Sequence, residues 1–249
     1  MGFTYFLTSS PFGPDSPYFN PQNGFVDRLR KAVPGNLRGL FVCSSPDRPE
    51  LTDRFAGDTR YALESMGCAF SAFDVLDRRR AEETAALTAN AGLIVLAGGH
   101  VPTQNAFFRE IGLKQALKRF HGVLIGISAG TMNSADPVYA QPEEEGEAAS
   151  REYRRFLPGL GITKTMLLPH YQMVKDDVLD GMKLFDEITL PDSVGRRFYA
   201  IPDGSYLFVG NGREELRGEA YAIRDGAVTK VAGEGDVTFM RGCTGVSQT

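Results

Sequence analysis

GVLIGISAGTMNSAD, residues 122–136, decides how this chain is read. The apolar run Val123–Ile127 stops at Ser128, and the small residues Ala129 and Gly130 follow at once. This pattern predicts a buried strand turning sharply into a helix. A serine at such a turn occupies strained backbone, and small residues two positions before and after it, here Gly126 and Gly130, avoid clashes. The strain lifts the hydroxyl clear of the sheet, and the helix N-terminus favours negative charge developing beside it. G-x-S-x-G alone is weak, because it occurs by chance in many chains. The bland alternative is a tight strand-to-helix turn with no chemistry. The buried strand before Ser128 and the small-residue helix start after it favour an exposed nucleophile.

Working outward, further short apolar runs read as strands: FTYFLTS (3–9), GLFVCSS (39–45), AFSAFDVL (69–76) and AGLIVLAGG (91–99). Several are apolar on both faces, as strands of a parallel sheet covered by helices are. Helical patterns at 22–33, 51–66, 78–90 and 103–120 lie between them. The alternation predicts an α/β fold, a three-layer α/β/α sandwich on a doubly wound, mostly parallel sheet. Beyond it, NSADPVYAQPEEEGEAAS (133–150) reads as a long acidic loop, MLLPHY (166–171) as a short strand, and VLDGMKLFDEI (178–188) as a helix. Pro-Asp-Gly, Asn-Gly and Asp-Gly turns between β-prone runs then predict an antiparallel finish. With no linker, repeat or low-complexity tract, residues 1–249 read as one domain.

Composition bounds the function. The 249 residues are 42% hydrophobic, ample for a large core, and carry a net charge of −4 with a pI near 5.5. Nothing in that balance attracts a polyanion, so no nucleic-acid partner is expected. No apolar run approaches the ~20 residues that span a bilayer, so no membrane partner is expected. The N-terminus lacks the pattern of a signal peptide, and Cys43, Cys68 and Cys243 form neither a disulfide framework nor a CxxC pair. A reducing, cytoplasmic setting without metal or other cofactor is the expectation. A homodimer is compatible with this sequence, which fixes no oligomeric state.

A nucleophilic serine needs a base. His100 follows LAGG and His170 follows MLLP, both at strand ends, where ligands of open α/β sheets bind. His121, between a helix and a strand, reads as a surface or capping residue. The orienting acid has several candidates: Asp136, Glu143, Glu144, Glu145, Glu147 and Glu152 before His170, and Asp203 in AIPDGSYL after it. The glutamate run also reads as a solvated face, and Asp203 as an ordinary turn residue. Two backbone donors would complete an oxyanion hole: the N–H of Ala129 and a glycine N–H from AGGH (97–100).

In order, LAGGHVPTQNAFF, GVLIGISAGTMNSA, LLPHY and AIPDGSYLFVGNG resemble the serine peptidase family of dipeptidase E and cyanophycinase. The resemblance covers about residues 90 to 212. It implies a flavodoxin-like, class I glutamine-amidotransferase-like fold and hydrolysis of short peptides. Carried over, it makes Ser128 the nucleophile, His170 the base, and Gly99 and Ala129 the oxyanion donors. It favours Asp203 as the acid, with the segment from Asp136 to Glu145 still in play. The family's aspartyl dipeptide and isopeptide substrates become the expected class. Two departures stand out. His100 follows the Gly-Gly pair where relatives carry Asn or Asp, at the substrate-binding edge, and the acidic run 141–147 has no counterpart. On charge alone, that run suits a free peptide N-terminus or a basic substrate. Lys164, Arg196 and Arg197 are the cations near the expected site, each also readable as a surface charge.

Rival readings make different demands. An α/β-hydrolase esterase places its histidine near the C-terminus, and none follows His170. A glutamine amidotransferase needs a cysteine at position 128. A non-catalytic binding module of the same fold would not need the serine, histidine and acid together.

Overall fold

The structure is a computed structural model and describes residues 3–33, 35–210 and 212–240; Cys243 and the Asn211 of the Asn-Gly turn lie outside them. Its main sheet is built first from β1 (Thr4–Thr8), β2 (Leu37–Val42), β3 (Phe70–Leu76), β4 (Leu93–Leu96) and β5 (Val123–Ile127). These five are mutually parallel in the spatial order β1-β5-β4-β2-β3. Strand residues alternate between two cores. Leu7, Ile94, Leu96 and Leu124 pack on one face, and Phe6, Leu93, Val95 and Ile125 on the other.

Helices cover both faces. α1 (Phe25–Ala32) and α2 (Pro49–Ser65) bury Leu29 and Leu63 against one face. α3 (Thr84–Asn90), α4 (Val101–Glu110) and α5 (Leu113–Ala116) bury Leu87, Phe107 and Leu113 against the other. The result is the expected doubly wound, flavodoxin-like sandwich. The helix expected over 103–120 breaks at Gly112, whose φ of +64° no α-helix accommodates. The one expected over 78–90 opens as a 3₁₀ segment, Arg78–Glu83, capped by the Asp77 carboxylate on the Arg79 amide.

α6 (Ala129–Asn133) follows β5. The supposed loop 133–150 holds a short strand, β6 (Val138–Tyr139), paired with β7 (Phe156–Leu157), and buries Tyr139 and Gln141. Then come β8 (Met166–Leu168) and α7 (Tyr171–Val174). The helix expected over 178–188 is instead a hairpin, β9 (Val178–Leu179) with β10 (Met182–Lys183), followed by a π-helical turn Leu184–Thr189. Asp180 and Gly181 both adopt positive φ, so Asp-Gly turn chemistry overrides the helical periodicity there.

The antiparallel finish is present and divides between two sheets. β11 (Arg197–Ala200), β14 (Ala220–Arg224) and β15 (Ala227–Ala232) join β8 in a four-stranded sheet. β12 (Tyr206–Gly210), β13 (Arg213–Arg217) and β16 (Val237–Phe239) extend the main sheet beyond β1. The short segment between β11 and β12 therefore passes from one sheet to the other. Among the described residues, no helix is long and apolar enough to cross a membrane.

Candidate active site

The carboxyl ends of β1, β4 and β5 lie side by side, and each delivers a polar or glycine-rich turn to one edge of the main sheet: Ser9-Ser10, Gly98-Gly99 and Ser128. β12 runs antiparallel to β1 with Tyr206 opposite Thr8, so the residues just before β12 reach the same edge. β8 pairs in parallel with β11, Leu168 beside Ala200, so the residues after both strands emerge together. His170 and Asp203 are those residues.

Ser128 turns the chain with φ +47° and ψ −107°. Its amide donates to the carbonyls of Thr8 and Ser9, at 3.2 and 3.0 Å. Gly130 must lack a side chain because a Cβ there would sit 2.4 Å from the Leu96 carbonyl oxygen. Seven non-glycine residues among those described have positive φ. Five are Asp or Asn, which tolerate it; the other two are Ser128 and His170. Backbone strain outside tolerant residue types thus falls on the two groups that face each other.

The His170 ring bridges two partners. Its Nε2 lies 2.9 Å from Ser128 Oγ and its Nδ1 lies 2.8 Å from Asp203 Oδ1. Asp203 also accepts from Ser9 Oγ at 2.6 Å and from Gln172 Nε2 at 2.6 Å. Burial raises the Asp203 carboxyl, but the His170, Ser9 and Gln172 hydrogen bonds and the His170 charge outweigh it and hold it below the usual carboxylate range. Ser9 Oγ in turn accepts from the His170 amide at 2.8 Å, fixing the backbone that carries the ring. Ser9 and Gln172 escape sequence reading. Ser9 is 161 residues from His170, and only its place at the end of an apolar strand could have flagged it.

The amides of Gly99 and Ala129 donate to no protein acceptor among the described residues, whereas the neighbouring Gly130 amide is taken by the Ala97 carbonyl at 3.1 Å. Both amides flank the turn at Ser128. The two helices behind it are joined by buried amides. Asn105 Nδ2 donates to Asn133 Oδ1 at 2.9 Å, Asn133 Nδ2 to Gln104 Oε1 at 3.0 Å, and Gln104 Nε2 to the Ala97 carbonyl at 2.7 Å. This network locks α4 to α6 and both to the end of β4.

A cleft of about 440 Å³ opens over Ser128 and His170, walled by Gly99, Gln141, Glu143, Leu168 and Met173. A more apolar cavity of about 480 Å³, lined by Phe12, Phe41, Phe55 and Ile127, lies across Gly98 and is lined by none of Ser128, His170 and Asp203. His100 does not line the cleft. Its Nδ1 meets Thr103 Oγ1 at 2.7 Å and its Nε2 meets Glu147 Oε1 at 2.8 Å, so the two departures noted in the sequence are partners of each other. Glu147 Oε2 then accepts from the amides of Glu143 and Glu144, at 2.9 and 3.0 Å. His100, Glu144 and Glu147 bring donor atoms within 4.8 Å of one another. Both His100 nitrogens and both Glu147 oxygens are already engaged within the protein, so this is a loop clasp rather than an open metal-ligand set. Glu143 is exposed at the rim of the cleft; partial desolvation by the cleft wall, with Glu147 and Glu144 beside it, pushes its carboxyl up from the usual carboxylate range.

The other candidates lie elsewhere. Asp136 bonds Lys114 Nζ at 2.8 Å, and Lys164 reaches the Asp136 carbonyl. Arg196 stacks on Phe156, and Arg197 contacts Tyr199. His121 is exposed. Cys43 is buried at the end of β2, and burial together with the Asp77 carboxylate pushes its thiol up to about 12, leaving it unreactive.

A serine within reach of an imidazole that is itself held by a carboxylate, at the carboxyl edge of a flavodoxin-like sheet, is the signature of a class, the serine hydrolases. The family follows from residues 7–217, which match Peptidase family S51; the chain belongs to that family and is a peptidase. In fold it is similar to a peptidase from an acI-B1 Actinobacterium, at 17% identity over 96% of this chain and 98% of that one, TM-score 0.69. It is also similar to a candidate peptidase E protein from Listeria monocytogenes EGD-e, at 18% identity over 92% and 99%, TM-score 0.54. No curated protein matches the chain.

Proposed function

We propose that this serine peptidase hydrolyses short peptides through an acyl-enzyme, in the manner of a dipeptidase E-like exopeptidase. Ser128 Oγ attacks the scissile carbonyl carbon as His170 Nε2 takes its proton. Asp203 holds the ring in the tautomer with Nδ1–H and stabilises the imidazolium that forms. The Gly99 and Ala129 amides bind the oxyanion. His170 then returns the proton to the leaving amine, the C–N bond breaks, and a water activated by the same imidazole releases the acyl group. The observation that carries this reading is the unbroken relay, 2.9 Å from Ser128 to His170 and 2.8 Å from His170 to Asp203.

The mouth of about 440 Å³ suits a short peptide rather than a folded chain. An aspartyl side chain finds no Lys or Arg among the residues lining the cleft, so Asp-containing substrates would be read through other groups. A screen of Asp-X, X-Asp and β-Asp-Arg dipeptides alongside neutral dipeptides, against wild type and Ser128→Ala, tests the assignment. Hydrolysis that vanishes in Ser128→Ala is expected. Hydrolysis surviving that substitution would overturn it.

A further inference from the structure

We propose that Glu143 reads a cationic nitrogen of the peptide substrate, the α-ammonium or a basic side chain, and so determines specificity in the cleft over Ser128. The inference rests on the catalytic reading of that cleft. Three charged or chargeable side chains line it: His170, Asp203 and Glu143. The first two are engaged with each other, with Ser128, and with Ser9 and Gln172. The Glu143 carboxylate accepts no hydrogen bond among the described residues.

Its main chain is nonetheless fixed. The Glu143 amide is held by Glu147, Glu147 by His100, and His100 directly follows Gly99, whose amide faces the reacting carbonyl in the proposed mechanism. Asp180 clamps the far side of the same loop by accepting from the amides of Gly146 and Ala148, both at 2.9 Å. An acidic residue that lines the cleft is thus carried on a loop tied to the oxyanion turn. A carboxyl crowded by Glu144 and Glu147 and facing no protein cation is stabilised as an anion by a cation that the ligand brings.

Protection of Ser128 from a small fluorophosphonate tests this, using alanine amide, lysine amide and their N-acetyl forms as competitors. The wild type is expected to be half-protected by free alanine amide, or by N-acetyl-lysine amide, at a concentration at least ~10-fold below that of N-acetyl-alanine amide. The first preference assigns the α-ammonium and the second the basic side chain. Glu143→Gln is expected to erase the difference, and Glu143→Lys to favour N-acetyl-aspartate amide instead. Either variant suffices if the other does not fold. Equal protection by charged and uncharged competitors, no protection by any, or a preference that survives in the folded variants overturns the inference and leaves the catalytic reading intact. Failure of the wild type to label at Ser128 overturns the catalytic reading instead, and this inference with it.

Discussion

A hydroxyl acts as a nucleophile only where its proton has somewhere to go, and in the mechanism proposed for Ser128 the destination is a ring fixed from three directions. Asp203 grips Nδ1, Ser9 holds the His170 amide, and Ser9 and Gln172 hold Asp203. Asp203→Asn keeps the shape but favours the wrong tautomer. We expect kcat to fall by about 10⁴-fold with KM little changed, measured by steady-state kinetics on whichever dipeptide is turned over. Ser9→Ala removes one donor to the carboxylate and the acceptor of the His170 amide, and kcat should fall about 10-fold or more, the loss of one charge-assisted hydrogen bond. Ser128, His170 and Asp203, which the structure brings within hydrogen-bond reach of one another, each sit at a turn beside a strand end, but the residues alone left several acids open and only the family resemblance favoured Asp203. The choice between His100 and His170 was not legible from the residues alone, because both follow strands. Ser9 and Gln172 act only through contacts that exist once the two sheets are assembled.

At the scale of elements, the turn at position 128 depends on what lies behind it. α6 is five residues long, too short to hold itself, and is fixed through Asn133 to α4. Asn133→Ala strands Gln104 Oε1 in a buried space, while Asn105 Nδ2 keeps the Pro158 carbonyl at 3.0 Å, at a cost of about 2 kcal/mol. For a chain of this size that lowers Tm by roughly 4–8 °C, readable by calorimetry, and activity should fall more than stability alone explains because the elbow is displaced. The five parallel strands and most helices were legible from apolar period and length. The hairpin at 178–183 was not, because a helical spacing of apolar residues coexisted with an Asp-Gly turn signal and local turn geometry won. The acidic run was read as a solvated face, and Glu143, Glu144 and Glu145 are exposed; what was not legible is the clasp from His100 to Glu147, which spans 47 residues.

At the scale of the whole molecule, the groups of the proposed relay come from two sheets, and Asp203 stands on the strap that joins them. Global stability therefore bears directly on activity. Arg78, Arg79 and Arg80, just after β3, gather Asp47, Asp53, Asp74 and Glu83, and hydrogen bonds from these arginines, joined at Asp74 by Arg38, hold all four carboxyls below their usual range. Asp203 is held low as well. A carboxylate whose folded value is depressed contributes stability that is present above its unfolded value, about 4, and lost as pH falls through the folded value. Tm should thus stay flat with respect to these groups at neutral pH and decline below about pH 4. In 1 M salt the decline should be shallower, because the arginine pairs are largely exposed and screened. A decline already steep between pH 7 and 5 would place the responsible groups elsewhere. The sandwich as a whole was legible, while the division of the last strands between two sheets was not, because β11 and β12 look alike as apolar runs and only their partners differ.

The most direct measurement is the site of covalent capture. Intact protein treated with a fluorophosphonate and mapped by peptide mass spectrometry should carry one adduct, on Ser128, with labelling at least 10³-fold slower in His170→Ala and absent in Ser128→Ala. A folded wild type that takes no label, or that labels at another residue with His170→Ala unaffected, would contradict the account.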